Sequence, residues 1–232
     1  MSNLYIVATP IGNLEDITLR ALRILKEVDF VLCEDTRNTK RILDKYEIET
    51  PTISYHIFSG KYKTDKILEL LEQGKNLALV SDAGTPTISD PGFQLVAEVR
   101  EKLGEEVKII PIPGSTAIAT ALSISGLSAD QFVFLGFLPR KKGKQTALKE
   151  TVESKRTVVF YESPHRVLKT LEALKFQLEE VGQDNSRQVF VARELTKIYE
   201  EIVSGNILEV LQFFKDNSEK VKGEFVFVIQ GK

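Results

Sequence analysis

The residues best suited to chemistry stand in short polar clusters, each placed directly after an apolar run. The longest is Ser81-Asp82-Ala83-Gly84-Thr85-Pro86-Thr87-Ile88-Ser89-Asp90-Pro91-Gly92. Its backbone amides, Asp82 and hydroxyls suit a ribose or an amino-acid moiety, and Gly84 lets a ligand approach the backbone closely. A plain strand-to-helix turn, with Asp90 capping and Pro91 at the first helical position, explains only the end of this run. In Phe160-Tyr161-Glu162-Ser163-Pro164-His165-Arg166 a carboxylate, an imidazole and a guanidinium follow a β-branched strand. Ser163 and Pro164 read there as a helix cap and first helical residue, which leaves Glu162, His165 and Arg166 for the rim of an active site. Thr9-Pro10-Ile11-Gly12-Asn13-Leu14, taken alone, is a tight loop before a helix capped by Asp16 or Thr18. Pro111-Ile112-Pro113-Gly114-Ser115-Thr116-Ala117 serves equally as a hinge or as a ligand contact. Glu34-Asp35-Thr36-Arg37 and Ala192-Arg193-Glu194-Leu195-Thr196-Lys197 pair opposite charges, and each alone reads as a surface ion pair. Six such loops at strand ends point to a shared site, because ligands of open α/β sheets sit beyond the carboxyl ends of the strands.

Several chemistries are disfavoured. No two of the 14 glycines lie closer than Gly136 and Gly143, so neither a dinucleotide fingerprint nor a phosphate-binding P-loop can be written. The nucleophile elbow G-x-S-x-G is absent. Two histidines, His56 and His165, and one cysteine, Cys33, do not build a nitrogen and sulfur metal cage, and no metal site is expected. Cys33 has no internal disulfide partner, which suits a reducing cytoplasm. The amino terminus lacks a basic, apolar leader and no run reaches the ~18 apolar residues of a membrane span, so no membrane association is expected. The 232-residue chain has 31 basic and 33 acidic residues and a net charge of −2, which excludes a uniformly basic nucleic-acid sleeve but not a local patch.

The elements that must position these clusters alternate. Strands are predicted at Leu4 to Ala8, Phe30 to Cys33, Thr52 to Tyr55, Leu77 to Val80 and Val107 to Ile110. Helices are predicted at Thr18 to Lys26, Thr39 to Tyr46, Thr64 to Gln73 and Phe93 to Leu103. Such alternation predicts a mainly parallel sheet covered by helices. Pro111 and Pro113 break the pattern, so we place domains at 1–113 and 114–232. The second half reads as a helix at Ser115 to Ser125, strands at Phe132 to Leu135, Thr157 to Tyr161, Val189 to Ala192, Ile198 to Val203 and Phe225 to Ile229, and helices at Gln145 to Glu153, His165 to Glu180 and Ile207 to Lys215. The few residues before Ile198 are too short for a helical crossover, so an antiparallel pair and a mixed sheet are expected. The fold class is therefore α/β, with two α/β domains and a cleft between them.

These segments, with Gly136-Phe137-Leu138-Pro139 and Lys222-Gly223-Glu224-Phe225-Val226, resemble the bacterial ribosomal RNA small subunit methyltransferase I family. That family belongs to the tetrapyrrole-methylase-like class. The likeness spans essentially the whole chain, and the loop at Ser81 is its most specific part. Two places depart from the family pattern. The run His56-Ile57-Phe58-Ser59-Gly60 lacks an expected Asn, and Ser115-Thr116 stand where a proline or cysteine is common. The resemblance implies S-adenosylmethionine-dependent 2'-O-methylation of a cytidine of 16S rRNA in the small ribosomal subunit, by a cytoplasmic homodimer. It implies donor contacts from Pro10, Asp82, Ala83, Gly84, Thr85, Ile88, Ser115, Thr116, Ala117, Tyr161 and Ala192, in a cleft between the domains.

The candidate proton acceptors or oxyanion stabilisers are Glu162, His165, Arg193, Glu194 and Lys197. Candidate substrate contacts are Asp35, Arg37 and Arg166, with Arg140, Lys141, Lys142 and Lys144. The last four belong to Phe137 to Arg156, a segment with seven basic residues and two acidic ones in a chain that is acidic elsewhere. Pro139 and Gly143 make its tip a flexible finger able to meet phosphates. Two other functions stay open: methylation of a tetrapyrrole or other small substrate on the same fold, and a non-catalytic RNA-binding assembly factor.

Overall fold

A computed structural model describes residues 1–56, 59–90 and 92–232, so Pro91, and Ile57 and Phe58 of the His56-Ile57-Phe58-Ser59-Gly60 run, lie outside the described residues. The chain forms two compact units, Met1–Thr116 and Ala117–Lys232.

The first unit is a five-stranded parallel sheet of β1 (Ser2–Val7), β2 (Phe30–Cys33), β3 (Thr52–Ser54), β4 (Leu77–Leu79) and β5 (Val107–Ile112), in the order β3-β2-β4-β1-β5. Its helices are α1 (Leu19–Glu27), α2 (Thr36–Lys45), α3 (Lys61–Glu72) and α4 (Phe93–Lys102). α1 starts where the Thr18 hydroxyl accepts from Ala21 N–H. Its buried stripe is Ala21, Ile24 and Leu25, while Leu19, which the spacing places in the apolar set, is 86% exposed. α2 begins three residues earlier than its apolar pattern predicts, because Asp35 caps it by accepting from Arg37 N–H. Pro111 does not break the sheet: β5 runs through it, paired with Ile6, because β5 is an edge strand and needs no donor on its outer side. Side chains of α1 and α2 pack on one face, around Val31 and Ala78. Those of α3 and α4 pack on the other, around Leu4 and Leu79.

The second unit is a mixed sheet of β6 (Phe132–Phe137), β7 (Thr157–Glu162), β8 (Gln188–Arg193), β9 (Glu201–Asn206) and β10 (Phe225–Ile229), in the order β6-β7-β10-β8-β9. Only β6 and β7 run parallel; β8 and β9 form the expected antiparallel pair. Its helices are α5 (Ala117–Ser125), α6 (Lys144–Glu153), α7 (Val167–Glu180) and α8 (Ile207–Asp216). α5 lies against β10. The other three bury Leu148, Leu171, Leu174 and Phe214 against Phe160 and Phe227. All of β10 is buried, which explains its unbroken apolar run. β9 starts at Glu201 rather than Ile198. Lys197 N–H donates to Glu194 O and Glu200 N–H to Lys197 O, so residues 194–200 are spent on turns and Ile198 is 95% exposed. α7 is preceded by a 3-10 turn over Pro164–Arg166, in which Ser163 takes the cap position without a side-chain cap bond.

Candidate active site

In a parallel sheet every strand ends at the same edge. Here that edge carries the loops after β1, β2, β4 and β5. The chain leaves β1 for α1 on one face and the neighbouring β4 for α4 on the other, so β1 and β4 flank the topological switch point where α/β sheets hold ligands. The two loops meet there. Thr9 N–H donates to Gly84 O at 2.9 Å and Gly84 N–H to Thr9 O at 3.0 Å. The Thr9 hydroxyl donates to Ser81 O at 3.1 Å, and Thr85 Oγ1 donates to Ser115 O at 3.2 Å. Ser115 Oγ in turn donates to Asp16 O at 3.3 Å. Pro10, Asp82, Ala83, Gly84, Thr85 and Ser115 therefore belong to one stitched set of loops, and Thr116 ends the unit directly after it. Ala117 is the first residue of α5. Ile88 is 45% exposed.

Backbone strain concentrates in the same loop. Thr87 (φ +74°) and Ser89 (φ +60°) adopt left-handed backbone, which is rare for a β-branched residue and typical of ligand-binding segments. Gly84 (φ +82°) and Gly92 (φ +116°) also lie in left-handed backbone, and Gly92 has no room for a side chain: a Cβ there would lie 2.6 Å from Leu79 Cδ2. Gly92, not Asp90, occupies the cap position of α4. The cap position itself has φ +116° and no room for a Cβ beside Leu79, so a glycine and not a carboxylate stands there.

Beside this loop, Glu34, Asp35, Thr36, Arg37, Ser54, His56 and Asp82 line a cavity of about 510 Å³. Asp82 accepts from Asp35 N–H at 3.3 Å and Asn38 Nδ2 at 3.0 Å, which ties the β4 loop to the start of α2. The Arg37 guanidinium, 2.6 Å from Asp35 Oδ2, holds the Asp35 carboxyl down at about 2. Burial and the nearby Asp82 charge push Glu34 up. Among the described residues no group of three or more His, Cys, Asp or Glu side chains is set to hold a metal ion.

In the second unit the strand period separates residues that sequence reasoning grouped. Glu162 and Arg193 both stand opposite Phe225 and share its core-facing side. Tyr161 and Ala192 both stand opposite Val226, on the other side of the sheet. A single site therefore cannot be lined by all four side chains. Ala192 is fully buried and paired on both sides, within the ladder rather than beyond it.

Glu162 is not at a rim. It is 1% exposed and accepts from Ser163 N–H at 2.8 Å and Thr170 Oγ1 at 2.6 Å, with Arg166 Nη2 at 2.6 Å. Arg166 also donates to Leu138 O at 2.9 Å, and Lys144 Nζ donates to Thr170 Oγ1 at 2.9 Å. Arg166 and Lys144 thus act inside the fold and are not free for a substrate. Burial pulls the Lys144 ammonium below its ordinary value. Arg140, Lys141 and Lys142 remain exposed between these anchors.

Arg193 is similarly occupied: Nε donates to Lys222 O at 2.8 Å and Nη1 to Tyr199 O at 3.1 Å. Lys197 Nζ donates to Glu194 Oε1 and Glu224 Oε2, both at 2.9 Å. Burial works against the Lys197 charge, but those two hydrogen bonds keep its pKa above the ordinary value. Burial likewise raises Glu194, yet the bonds from Lys197 and Glu224 N–H bring it below the ordinary carboxyl value. Glu194 (φ +51°) and Thr196 (φ +67°) are strained. His165 is exposed. The sequence reading missed Asn38 and Thr170, which help hold these clusters together, and it gave Thr9 and Glu224, though both stand in quoted segments, no site role. Asn38 and Thr170 carry no motif of their own and join the sites only through the fold.

Residues 3–211 match the family model of tetrapyrrole (corrin/porphyrin) methylases. The chain is 46% identical over 232 residues to the ribosomal RNA small subunit methyltransferase I of Thermotoga maritima, which covers the whole of both chains. It is 47% identical over 232 residues to the Bacillus subtilis protein of that name, covering all of this chain and 76% of the other. Among solved structures it is similar to a cobalamin biosynthetic enzyme, cobalt precorrin-4 methyltransferase, at a TM-score of 0.72 and 16% identity, covering 97% of this chain and 94% of that one. A uroporphyrin III C-methyltransferase from Thermus thermophilus gives 0.66 and 18%, covering 98% and 97%. These two likenesses concern the fold.

Proposed function

The chain belongs to the ribosomal RNA small subunit methyltransferase I family, which carries the tetrapyrrole methylase fold, and on that premise we propose that it transfers a methyl group from S-adenosylmethionine to the ribose 2'-hydroxyl of a cytidine in 16S rRNA of the small ribosomal subunit. The observation that carries this reading is the 46% identity over the full length of both chains. The reading makes the protein a cytoplasmic homodimer, which sedimentation velocity checks. Among the described residues no helix is long and apolar enough to cross a membrane.

The first unit's carboxyl edge fits the donor. Ser81, Gly84 and Thr85 hold the loops together at the switch point, Asp82 presents an exposed carboxylate beside them, and Glu34, Asp35 and Asp82 give that edge an acidic character that attracts a cation. When bound, the donor supplies an electrophilic methyl carbon on a sulfonium. The protein's part is to orient the hydroxyl toward that carbon and to exclude water. Glu162 and Arg193 are held by structural partners and are assigned no proton transfer. Lys197, held between the Glu194 and Glu224 carboxylates, is likewise assigned no part in the transfer. His165, exposed in the middle of the 3-10 turn, is the proton acceptor of this reading.

Gly84→Ala tests the donor site. A Cβ there would lie 3.4 Å from Ile11 Cγ2 on a left-handed backbone, a strain of about 1–2 kcal/mol that the unit can absorb while the loop shifts. Calorimetry is expected to show roughly tenfold weaker S-adenosylmethionine binding. Full donor affinity in the folded variant would place the donor elsewhere.

The reaction itself is tested by incubating small ribosomal subunits with labelled donor and digesting the rRNA in alkali. A 2'-O-methylated ribose cannot attack its own phosphodiester, so the label is expected in a single alkali-resistant dinucleotide that begins with cytidine. Label on a base, or transfer only to a tetrapyrrole, would overturn the assignment.

A further inference from the structure

The last residue of β6, Phe137, is 56% exposed although apolar residues flank it on both sides. A register shift between Phe134 and Phe137, with Gly136 at φ +62°, breaks the alternation of an edge strand at this point. The Phe137 ring lies against Tyr161, with centroids 5.4 Å apart and planes at 57°, and Phe134 backs the same tyrosine edge-on at 5.1 Å. The ring is therefore supported from behind and open in front.

The chain then dips to Leu138, which is 2% exposed and pinned through its carbonyl by Arg166, and rises into Arg140, Lys141 and Lys142. None of these three enters an ion pair among the described residues, whereas Lys149 farther along pairs with Glu153. Arg140 is three residues from Phe137, so by chain reach the two Cα atoms lie within about 11 Å of each other. A braced, exposed aromatic ring beside unpaired cations is the pairing by which proteins hold single-stranded nucleic acid: the ring stacks a base and the cations meet the backbone.

We propose that Phe137, braced by Tyr161 and Phe134, is a stacking site for one unpaired base of the RNA substrate. The inference rests on the reading of the chain as an RNA methyltransferase and adds to it a contact that reads single-strandedness.

The chain contains no tryptophan, so Phe137→Trp introduces a lone fluorophore at the site. Titration with an unpaired oligoribonucleotide of about ten residues is expected to quench its emission. Phe132→Trp, at the other end of the same strand and 44% exposed, is expected to stay unquenched. Phe137→Ala should weaken the oligonucleotide about 5- to 150-fold, the range that stacking of one base supports, and Phe137→Tyr should restore it. Undiminished affinity in Phe137→Ala, no quenching in Phe137→Trp, or equal quenching at both positions overturns the stacking site. Failure of the wild-type protein to methylate small subunits would instead overturn the reading beneath it.

Discussion

Glu162→Ala is expected to destabilise the second unit by about 3–5 kcal/mol, the cost of removing one partner from a buried ion pair. The carboxylate is 1% exposed and receives three donors, from Ser163, Thr170 and Arg166. Alanine would leave the Arg166 guanidinium, whose side chain is only 19% exposed, with the Leu138 carbonyl as its remaining acceptor. It would also free the Thr170 hydroxyl, and with it the anchor of Lys144. Both ends of the basic loop depend on this one carboxylate. Glu162→Gln keeps the shape and loses the charge, so its unfolding midpoint in urea should fall between those of the wild type and Glu162→Ala. A Glu162→Ala midpoint equivalent to within about 0.5 kcal/mol of the wild type would show that the cluster is not structural. The expectation reverses what the sequence suggests, which is a carboxylate at a cleft that affects turnover and leaves melting unchanged.

The reason for that reversal marks how far the sequence is legible. The strand before Glu162 is plain from Val158, Val159 and Phe160, and the turn after it from Ser163 and Pro164. Which way Glu162 points depends on register. In β7 neighbouring residues face opposite sides, so Tyr161 and Glu162 cannot serve the same site, and only pairing with Phe225 and Val226 decides which of them meets the core. Arg166, which pairs with its charge, stands four residues on in the same motif, but Thr170 comes eight residues on, and through it Lys144 from another helix. No local pattern announces Thr170 or Lys144. The first unit is more legible because its loops must solve backbone problems that only a few residue types solve. Gly84 and Gly92 occupy left-handed backbone, Thr9 and Thr85 bond across loops through their hydroxyls, and Asp35 caps α2. These requirements leave Gly, Thr, Ser and Asp visible in the sequence. The order β3-β2-β4-β1-β5 was not legible, since it rests on contacts between strands far apart in the chain. Yet that order, by setting β1 beside β4, is what turns two separate loops into one site.

The loop that Glu162 anchors carries the second large effect. Replacing Arg140, Lys141 and Lys142 together by alanine is expected to weaken RNA binding roughly a hundredfold at about 0.1 M salt. It should also make the slope of log affinity against log salt about 2 units shallower. Each phosphate neutralised on a single strand contributes about 0.7 to that slope, and three cations give about 2; over the decade from 1 M to 0.1 M salt this is about two powers of ten in affinity. Lys144 is kept out of the variant. Its ammonium is bonded to Thr170 and its pKa is lowered by burial, so Lys144→Ala should lower stability and leave the slope nearly unchanged. The cations farther along the segment are also partly engaged: Lys149 lies 3.8 Å from Glu153, and Arg156 donates to Gln131. The electrostatic grip is therefore assigned to the three adjacent cations at the tip; Lys155, also exposed, stands apart from them beyond the end of α6. Donor affinity, which the reading assigns to the loops of the first unit, should not move in the triple variant. An unchanged salt slope there, with the fold intact, would show that the RNA backbone docks on another surface.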